Sequence, residues 1–357
     1  MVQIILDIAF YSEPKLNSVE QLLAKHQGTW EHYLLLPQNI TVYLIKFAEF
    51  EATEQRGNLR IVVVRMPAIH KTGNFVESLL SKYSPQLIIT HSLKFPLRHF
   101  LLQKHVNSQC KLAVQLHADW LRKNPIVRLS QKIAYKTTNY ILVTGAAQIQ
   151  AMLNRKVLPK SAAVIEMMEG SRNFIPKAYS ANTKTTQLIW VGRFIARKDF
   201  ATLLRACHIL KNKQADFFLN IVSSGGSLRD DCMNMIAELN LVNETKVHLN
   251  LNSTEMQAMY TKADIFISTS WQEGSGWALC EAMATGLAAV VSDIAPQRWM
   301  TDNGRTGGLF TCGDEHQLAS LIVSSSSKKM ELGKIAREVF EKKLSFQAIA
   351  DTIVRLL

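Results

Sequence analysis

The sequence predicts an α/β protein of two doubly wound domains, and three observations point there. Its 357 residues exceed what one ordinary core organises, since domains cluster at roughly 100–200 residues. Apolar runs of strand length alternate with amphipathic runs of helix length, the pattern of parallel strands covered by helices on both faces. The alternation stops at a polar, turn-forming stretch, EGSRNFIPKAYSANTKTTQ at 169–187, and then restarts, which marks an interdomain linker. Two such sheets are expected to face each other across a crevice at their strands' carboxyl ends, where doubly wound sheets bind ligands.

In the first half, VQIILDIAF reads as a strand and SVEQLLAKH as the helix after it. Residues 41–65, from TVYLIKFAEF to NLRIVVVR, read as two strands joined by a polar excursion. QLIITHS and KLAVQLH are strands with FPLRHFLLQKH as a helix between them; YILVTG is a strand followed by AAQIQAMLNRK. Asn124 and Pro125 have the chemistry of an N-cap and a first helical residue. The second half repeats the rhythm with QLIWVG, DFATLLRACHILKN, FFLNIVSSGG, DDCMNMIAEL, KVHLNL, STEMQAMYTKA, DIFISTS, a helix opening near Trp277, and LAAVVSDI.

Composition narrows the class. Hydrophobic residues make up 47% and charged residues 20% of the chain, so a packed globular protein is expected rather than a disordered one. MVQIILDIAF has no basic leader and carries Asp7 within the apolar run, which fits a first strand better than a signal peptide. Five scattered cysteines without a CxxC pair suggest neither a disulfide framework nor a zinc site. The expected location is therefore the cytoplasm.

Two groups of residues suggest chemistry. Within VGRFIARKDF, Gly192 leaves a strand, Arg193 stands in the loop and Lys198 precedes a helix; a guanidinium and an ammonium at one strand end can grip a diphosphate. In WQEGSGWALCEAMATG, Gly274, Ser275 and Gly276 let main-chain amides approach a ligand, and the helix that begins near Trp277 and Ala278 aims its positive end at the same point. Glu273 precedes that turn and Glu281 lies about a turn and a half inside the helix. Carboxylates beside bound phosphate need neutral hydroxyls as partners. A nucleotide sugar meets every demand, with diphosphate on the cations and amides and hydroxyls on the glutamates. The cations take the place of a metal, and no DxD motif occurs, so no metal is expected. A dinucleotide oxidoreductase would need a GxGxxG after a strand, which SSGGS does not supply.

Taken in order, VGRF…RKDF, the pair Glu273 and Glu281, EAMATG and DNGRTGGLF…GD resemble the group 1, or family 4, retaining glycosyltransferases of the GT-B fold. The resemblance implies a metal-independent transferase moving a sugar from a UDP- or GDP-sugar to a hydroxyl of a glycan or lipid-linked acceptor, in cell-surface polysaccharide or glycolipid synthesis. It implies an acceptor-side domain over 1–178, a nucleotide-sugar-binding domain over 179–343 and a helix at 344–357 that crosses back onto the first. By the same resemblance Glu273 contacts the donor sugar, Glu281 the ribose, and Arg193 and Lys198 the pyrophosphate. QLHADW is similar to the family's strand-end histidine segment, so His117 would face the donor sugar; His91 in IITHS is a second histidine of that kind. The sequence departs from the family where FYSEPKLNSVEQ replaces a glycine pair after the first strand and where Pro296 and Gln297 replace a Pro-Glu pair. A nucleotide-sugar epimerase, a glycosyl phosphorylase or a non-catalytic nucleotide-sugar-binding protein would carry the same donor motifs.

The net charge of +12 is concentrated in the first half, where residues 1–180 hold 22 basic against 11 acidic side chains. In the helix after Pro125, Arg128, Lys132 and Lys136 recur every four residues, and Ile126, Leu129 and Ile133 are expected on the opposite, docked face. This pattern predicts contact with an anionic membrane surface, which would place the protein peripherally at the inner membrane face, or with a phosphate-bearing acceptor such as a lipid-linked glycan. With few interleaved aromatics and no recognition motif, nucleic acid is not an expected partner.

Overall fold

The computed structural model describes residues 2–25, 30–91, 96–116, 125–136, 138–154, 156, 158, 162–167, 170–171, 174–178, 184–274 and 276–357. The chain divides into two compact units, one of Met1–Glu169 with Phe346–Leu357 and one of Gly170–Ser345.

The first unit is an eight-stranded sheet of β1 (Gln3–Ser12), β2 (Ile40–Phe47), β3 (Ala52–Arg56), β4 (Leu59–Val64), β5 (Leu87–His91), β6 (Lys111–Gln115), β7 (Tyr140–Val143) and β8 (Ala163–Glu166), ordered β3-β4-β2-β1-β5-β6-β7-β8. All neighbours are parallel except β3 and β4, which pair antiparallel. The polar excursion expected between two strands is thus itself a strand. ATEQR has alternating half-buried and exposed positions, and Gly57 at φ +58° makes the turn that folds it onto β4. Lying at the edge of the sheet, it needs no apolar run. Helix Phe346–Val354 adds Ile349, Ala350 and Ile353 to the core that holds Val19, Leu22 and Leu23, and the Lys111 ammonium donates to the Leu357 carbonyl at 2.9 Å.

Helix Pro125–Tyr135 corrects the expected face. Leu129 and Ile133 are 60% and 44% exposed, while Gln131, Ala134 and Tyr135 are buried. At about 100° per residue, Leu129 and Ile133 lie roughly 60° from the Lys132–Lys136 line rather than across from it. The docked stripe is centred on Ala134 and Tyr135. Lys132 and Lys136 are exposed as expected; the Arg128 and Ile126 side chains and Asn124 lie outside what is described.

The second unit is a six-stranded all-parallel sheet of β9 (Thr186–Val191), β10 (Phe217–Ser223), β11 (Thr245–Leu249), β12 (Ile265–Ser268), β13 (Ala288–Ser292) and β14 (Gly307–Phe310), ordered β11-β10-β9-β12-β13-β14. Successive connections run outward from β9 in one direction and, after β12, in the other. The order therefore reverses between β9 and β12, and this is where a doubly wound sheet opens for a ligand. Its core is one cluster around Trp190, Phe194, Leu203, Leu219, Ile267 and Phe310, all essentially inaccessible to solvent. β14 carries the glycines of GGLF, and a Cβ at Gly307 would collide with the Ala289 backbone, so this strand is specified by close approach rather than by apolar alternation.

Within this unit Asp264, 8% exposed, receives Lys177 Nζ on Oδ1 and Lys329 Nζ on Oδ2, both at 2.8 Å, and the Gln187 amide at 3.0 Å. Burial alone would raise its carboxyl, but the bonds from Lys177 and Lys329 outweigh this and hold it below the usual carboxylate range. The Lys177 amide also donates to the Thr285 carbonyl at 2.9 Å. These contacts fasten residues 174–178, read from sequence as linker, onto the second unit.

Candidate functional site

β9 and β12 end side by side, and the loops that follow them are stitched together. The Trp190 indole donates to Thr269 Oγ1 at 3.2 Å, Thr269 Oγ1 donates to the Lys198 carbonyl at 2.8 Å, and the Trp271 amide donates to the Arg197 carbonyl at 2.9 Å. Asp199 caps the helix Phe200–Asn212 by accepting from the Thr202 amide at 3.2 Å, and its other oxygen accepts the Trp271 indole N–H at 3.0 Å. The Arg193–Asp199 loop is thereby held against Thr269–Glu273, and the two sequence motifs meet because their strands are neighbours.

Glu273 is the centre of the cluster. Its Oε1 pairs with the Lys198 ammonium and accepts from Ser270 Oγ at 2.6 Å, and Oε2 lies 3.4 Å from Arg197 Nη1. Glu273 is 9% exposed and Lys198 16%, against 41% for Arg197. Arg197 also donates to the Gln272 carbonyl at 2.9 Å. Arg193 is exposed, with no ion pair among the described residues. Arg197 and Lys198 bring two positive charges to Glu273 and Arg193 adds a third to the same loop, while the Asp199 carboxylate is engaged by its own helix and Trp271. The sequence reading missed Arg197, although a basic residue immediately before Lys198 was the visible signal. It also missed Ser270, whose hydroxyl does not stand out among the residues ending a strand.

Gly192 makes room for Lys198: a Cβ there would sit 2.9 Å from the Trp190 ring and 3.4 Å from Lys198 Cδ. Gly276 is the N-cap of the helix Trp277–Thr285 in the left-handed region at φ +58°, and no side chain caps that helix. Its first amides, at Trp277 and Ala278, stand at the positive end of the helix, and the Gly276 cap supplies no side-chain acceptor to them. A side chain at 276 would also press on Met300 Sδ at 2.8 Å. Gly274 is a half-buried bend leading into this mouth; Ser275 lies outside the described residues.

Glu281 sits on the same helix and is half-buried. The Tyr260 hydroxyl donates to its Oε2 at 2.9 Å and lies 3.2 Å from the Ala278 carbonyl. Burial, then the Glu281 charge and hydrogen bond, push the Tyr260 phenol well above its ordinary range, so it remains a donor. Tyr260 is a third residue that sequence did not single out, being one aromatic in an amphipathic helix.

His117, with its segment to residue 124, lies outside the described residues. His91 ends β5, half-buried, and its Nε2 is 2.8 Å from Asp7 Oδ1 on β1, whose other oxygen accepts the Tyr33 hydroxyl. Burial would raise the Asp7 carboxyl, yet His91, Lys46 and Tyr33 together hold it well below its usual range. Among the described residues no group of three or more His, Cys, Asp or Glu could hold a metal ion, and no helix is long and apolar enough to cross a membrane.

Residues 171–339 match the family described as glycosyl transferases group 1. The chain is 25% identical over 177 residues to spore coat protein SA of Bacillus subtilis (strain 168), covering 47% of each sequence. It is 23% identical over 246 residues to GDP-mannose:cellobiosyl-diphosphopolyprenol alpha-mannosyltransferase of Xanthomonas campestris, covering 66% of this chain and 63% of that one. The matched segments thus span about half to under two thirds of these relatives' length. Sucrose-phosphate synthase of Thermosynechococcus elongatus superposes with a TM-score of 0.69 at 17% identity, covering 100% of this chain and 98% of that one, so the fold is GT-B. The Arg193–Lys198 loop, the Gly276 helix mouth and both glutamates all fall within the segment, 171–339, that is similar to the glycosyl transferases group 1 family.

Proposed function

We propose that the protein transfers a sugar from a nucleotide-sugar donor to a hydroxyl of a glycan or lipid-linked acceptor, with retention at the anomeric carbon. One observation carries this reading: Arg193, Arg197, Lys198 and Glu273 lie on the stitched loops where β9 and β12 end, and the helix that follows opens at Gly276 and carries Glu281. The diphosphate lies on Arg193, Lys198 and the Trp277 and Ala278 amides, with Arg197 beside it. Glu273 reads the donor sugar and Glu281, oriented by Tyr260, the ribose. Breakage of the bond between the anomeric carbon and phosphate oxygen leaves negative charge on the nucleotide. Fixed cations and amides stabilise that charge without reorganising. The acceptor oxygen bonds to the anomeric carbon and its proton passes to the departing phosphate. The donor is of UDP- or GDP-sugar type, and the cations act without a metal. His117 is proposed to contact the donor sugar. The Xanthomonas relative's name specifies a diphosphopolyprenol-linked acceptor; together with the basic first half this supports an acceptor in cell-surface polysaccharide or glycolipid synthesis, reached from the cytoplasmic side of a membrane.

Thermal-shift titration with nucleotides and nucleotide sugars tests the donor assignment, since a ligand bound only by the folded protein raises Tm. A nucleoside diphosphate and its sugar conjugate should raise Tm, and less so in Glu281→Gln. If no nucleotide or nucleotide sugar shifts Tm, the reading fails. Incubation with donor alone separates transfer from epimerisation: an epimerase would convert it.

A further inference from the structure

Two neighbouring helices of the first unit turn apolar side chains to solvent. On Pro96–His105, Leu97 and Phe100 are 55% and 38% exposed, and on Pro125–Tyr135 Leu129 and Ile133 are 60% and 44% exposed. The helices touch through the Gln103 side-chain amide, which donates to the Ala134 carbonyl. His99 and Leu102 on one helix, and Gln131, Ala134 and Tyr135 on the other, face inward. A single exposed leucine is ordinary, but four large apolar side chains exposed on two touching helices point to a partner.

Charge identifies the partner. PLRHFLLQKH and PIVRLSQKIAY contain no acidic residue. Lys132 and Lys136 are exposed beside Leu129 and Ile133, and the Lys104 ammonium lies 5.1 Å from the Phe100 ring centroid. Exposed large apolar side chains interleaved with lysines, on helices that carry no acidic residue, fit an interface that is apolar a few ångströms down and anionic at its rim. That is the headgroup boundary of a lipid bilayer.

Resting on the lipid-linked acceptor reading above, we propose that these two helix faces seat the first unit on an anionic bilayer, Leu129 and Ile133 entering the acyl boundary while Lys132 and Lys136 hold lipid phosphates. The outward ridge therefore anchors by apolar insertion as well as by charge. Bringing the first unit to the surface would bring it to the acceptor, and among the described residues no helix is long and apolar enough to cross the membrane.

Flotation of the full chain on vesicles of phosphatidylcholine alone, or with phosphatidylglycerol at about two to one, tests this without substrate. Wild type should float with anionic vesicles at least tenfold more than with neutral ones, less so at high salt. Leu129→Asn with Ile133→Asn, which leaves every charge in place, should lower binding at least tenfold with an unchanged circular dichroism melt. Lys132→Gln with Lys136→Gln should lower it and weaken its salt dependence. Equal binding of the Leu129/Ile133 variant and wild type overturns insertion. Equal binding to both vesicle types overturns the charge requirement. No binding to either overturns the proposal and leaves a protein partner for the patch. Because donor-induced thermal shifts are measured without lipid, failure of docking is distinguishable from failure of the transferase reading.

Discussion

Lys198 and Glu273 form an ion pair across 75 residues of sequence, joining the loop after β9 to the loop after β12. Each is expected to contact a different part of the donor, so the pair must loosen when a diphosphate arrives. Arg197 at 3.4 Å and Ser270 remain to hold the carboxylate while Lys198 turns to phosphate. Lys198→Ala is expected to lower turnover at least tenfold, about 1.4 kcal/mol or more of transition-state stabilisation. Glu273→Gln keeps the Ser270 bond and should lower kcat more than it raises donor KM. Steady-state kinetics with the donor found by thermal shift check both, and unchanged kcat in both variants removes the pair from the mechanism.

Glu281 is expected to act in binding rather than in bond breaking. Glu281→Gln should raise donor KM about tenfold, close to the energy of one charge-assisted hydrogen bond, with kcat nearly unchanged. Tyr260→Phe removes only the hydroxyl that orients Glu281 and should raise KM by a smaller factor. A fall in kcat without a KM change in Glu281→Gln would contradict a ribose contact.

If the cations at this site do the work of a metal, as proposed, transfer is expected to need no divalent ion. Activity is expected to survive dialysis against EDTA, and added magnesium or manganese should change it less than twofold. Loss of activity with EDTA and its recovery with a divalent metal would refute the expectation.

Asp264 stabilises the second unit by bonding two lysines and the Gln187 amide. Asp264→Asn removes the negative charge shared by Lys177, itself 8% exposed, and Lys329, and should cost about 3 kcal/mol. Because the folded carboxyl is held below its ordinary value, this stabilisation is complete above the unfolded pKa of 3.8 and is lost as pH falls through the folded value. Urea unfolding of both proteins at neutral and acid pH measures the difference, which should shrink on acidification.

His99 makes the first unit acid-sensitive in a different window. It is 1% exposed, and burial pushes its imidazole from 6.5 down to about 4, against a smaller raising effect from the Ala134 backbone. Below 6.5 the unfolded chain takes up a proton that the folded one refuses, so stability falls from there to about pH 4. His99→Gln should flatten that decline by roughly 3 kcal/mol at most. Urea midpoints across this range check it, and a parallel decline in both proteins would assign the effect elsewhere.

How far the sequence reached depended on the range of the interactions involved. Strands such as QLIWVG and DIFISTS were legible because alternation of apolar runs with amphipathic helices is imposed residue by residue by backbone geometry. β3 and β14 were not: ATEQR at the edge of the first sheet needs no buried face, and GGLF is chosen for contact with the Ala289 backbone. The donor motifs were legible as local clusters, since Gly192, Arg193 and Lys198 share one loop and Gly276 and Glu281 share one helix.

By itself the sequence determined two doubly wound units, the location of the charged loops at strand ends, and a basic first half. Only the tertiary structure decided that Lys198 meets Glu273, that Arg197, Ser270 and Tyr260 join the site, and that Leu129 and Ile133 face outward. Helical periodicity fixes which residues share a face, but not which face is buried; that depends on what packs against it, here the stripe of Gln131, Ala134 and Tyr135. Likewise a charge's partner is set by which strands lie side by side, and sheet order is fixed by the whole unit's packing.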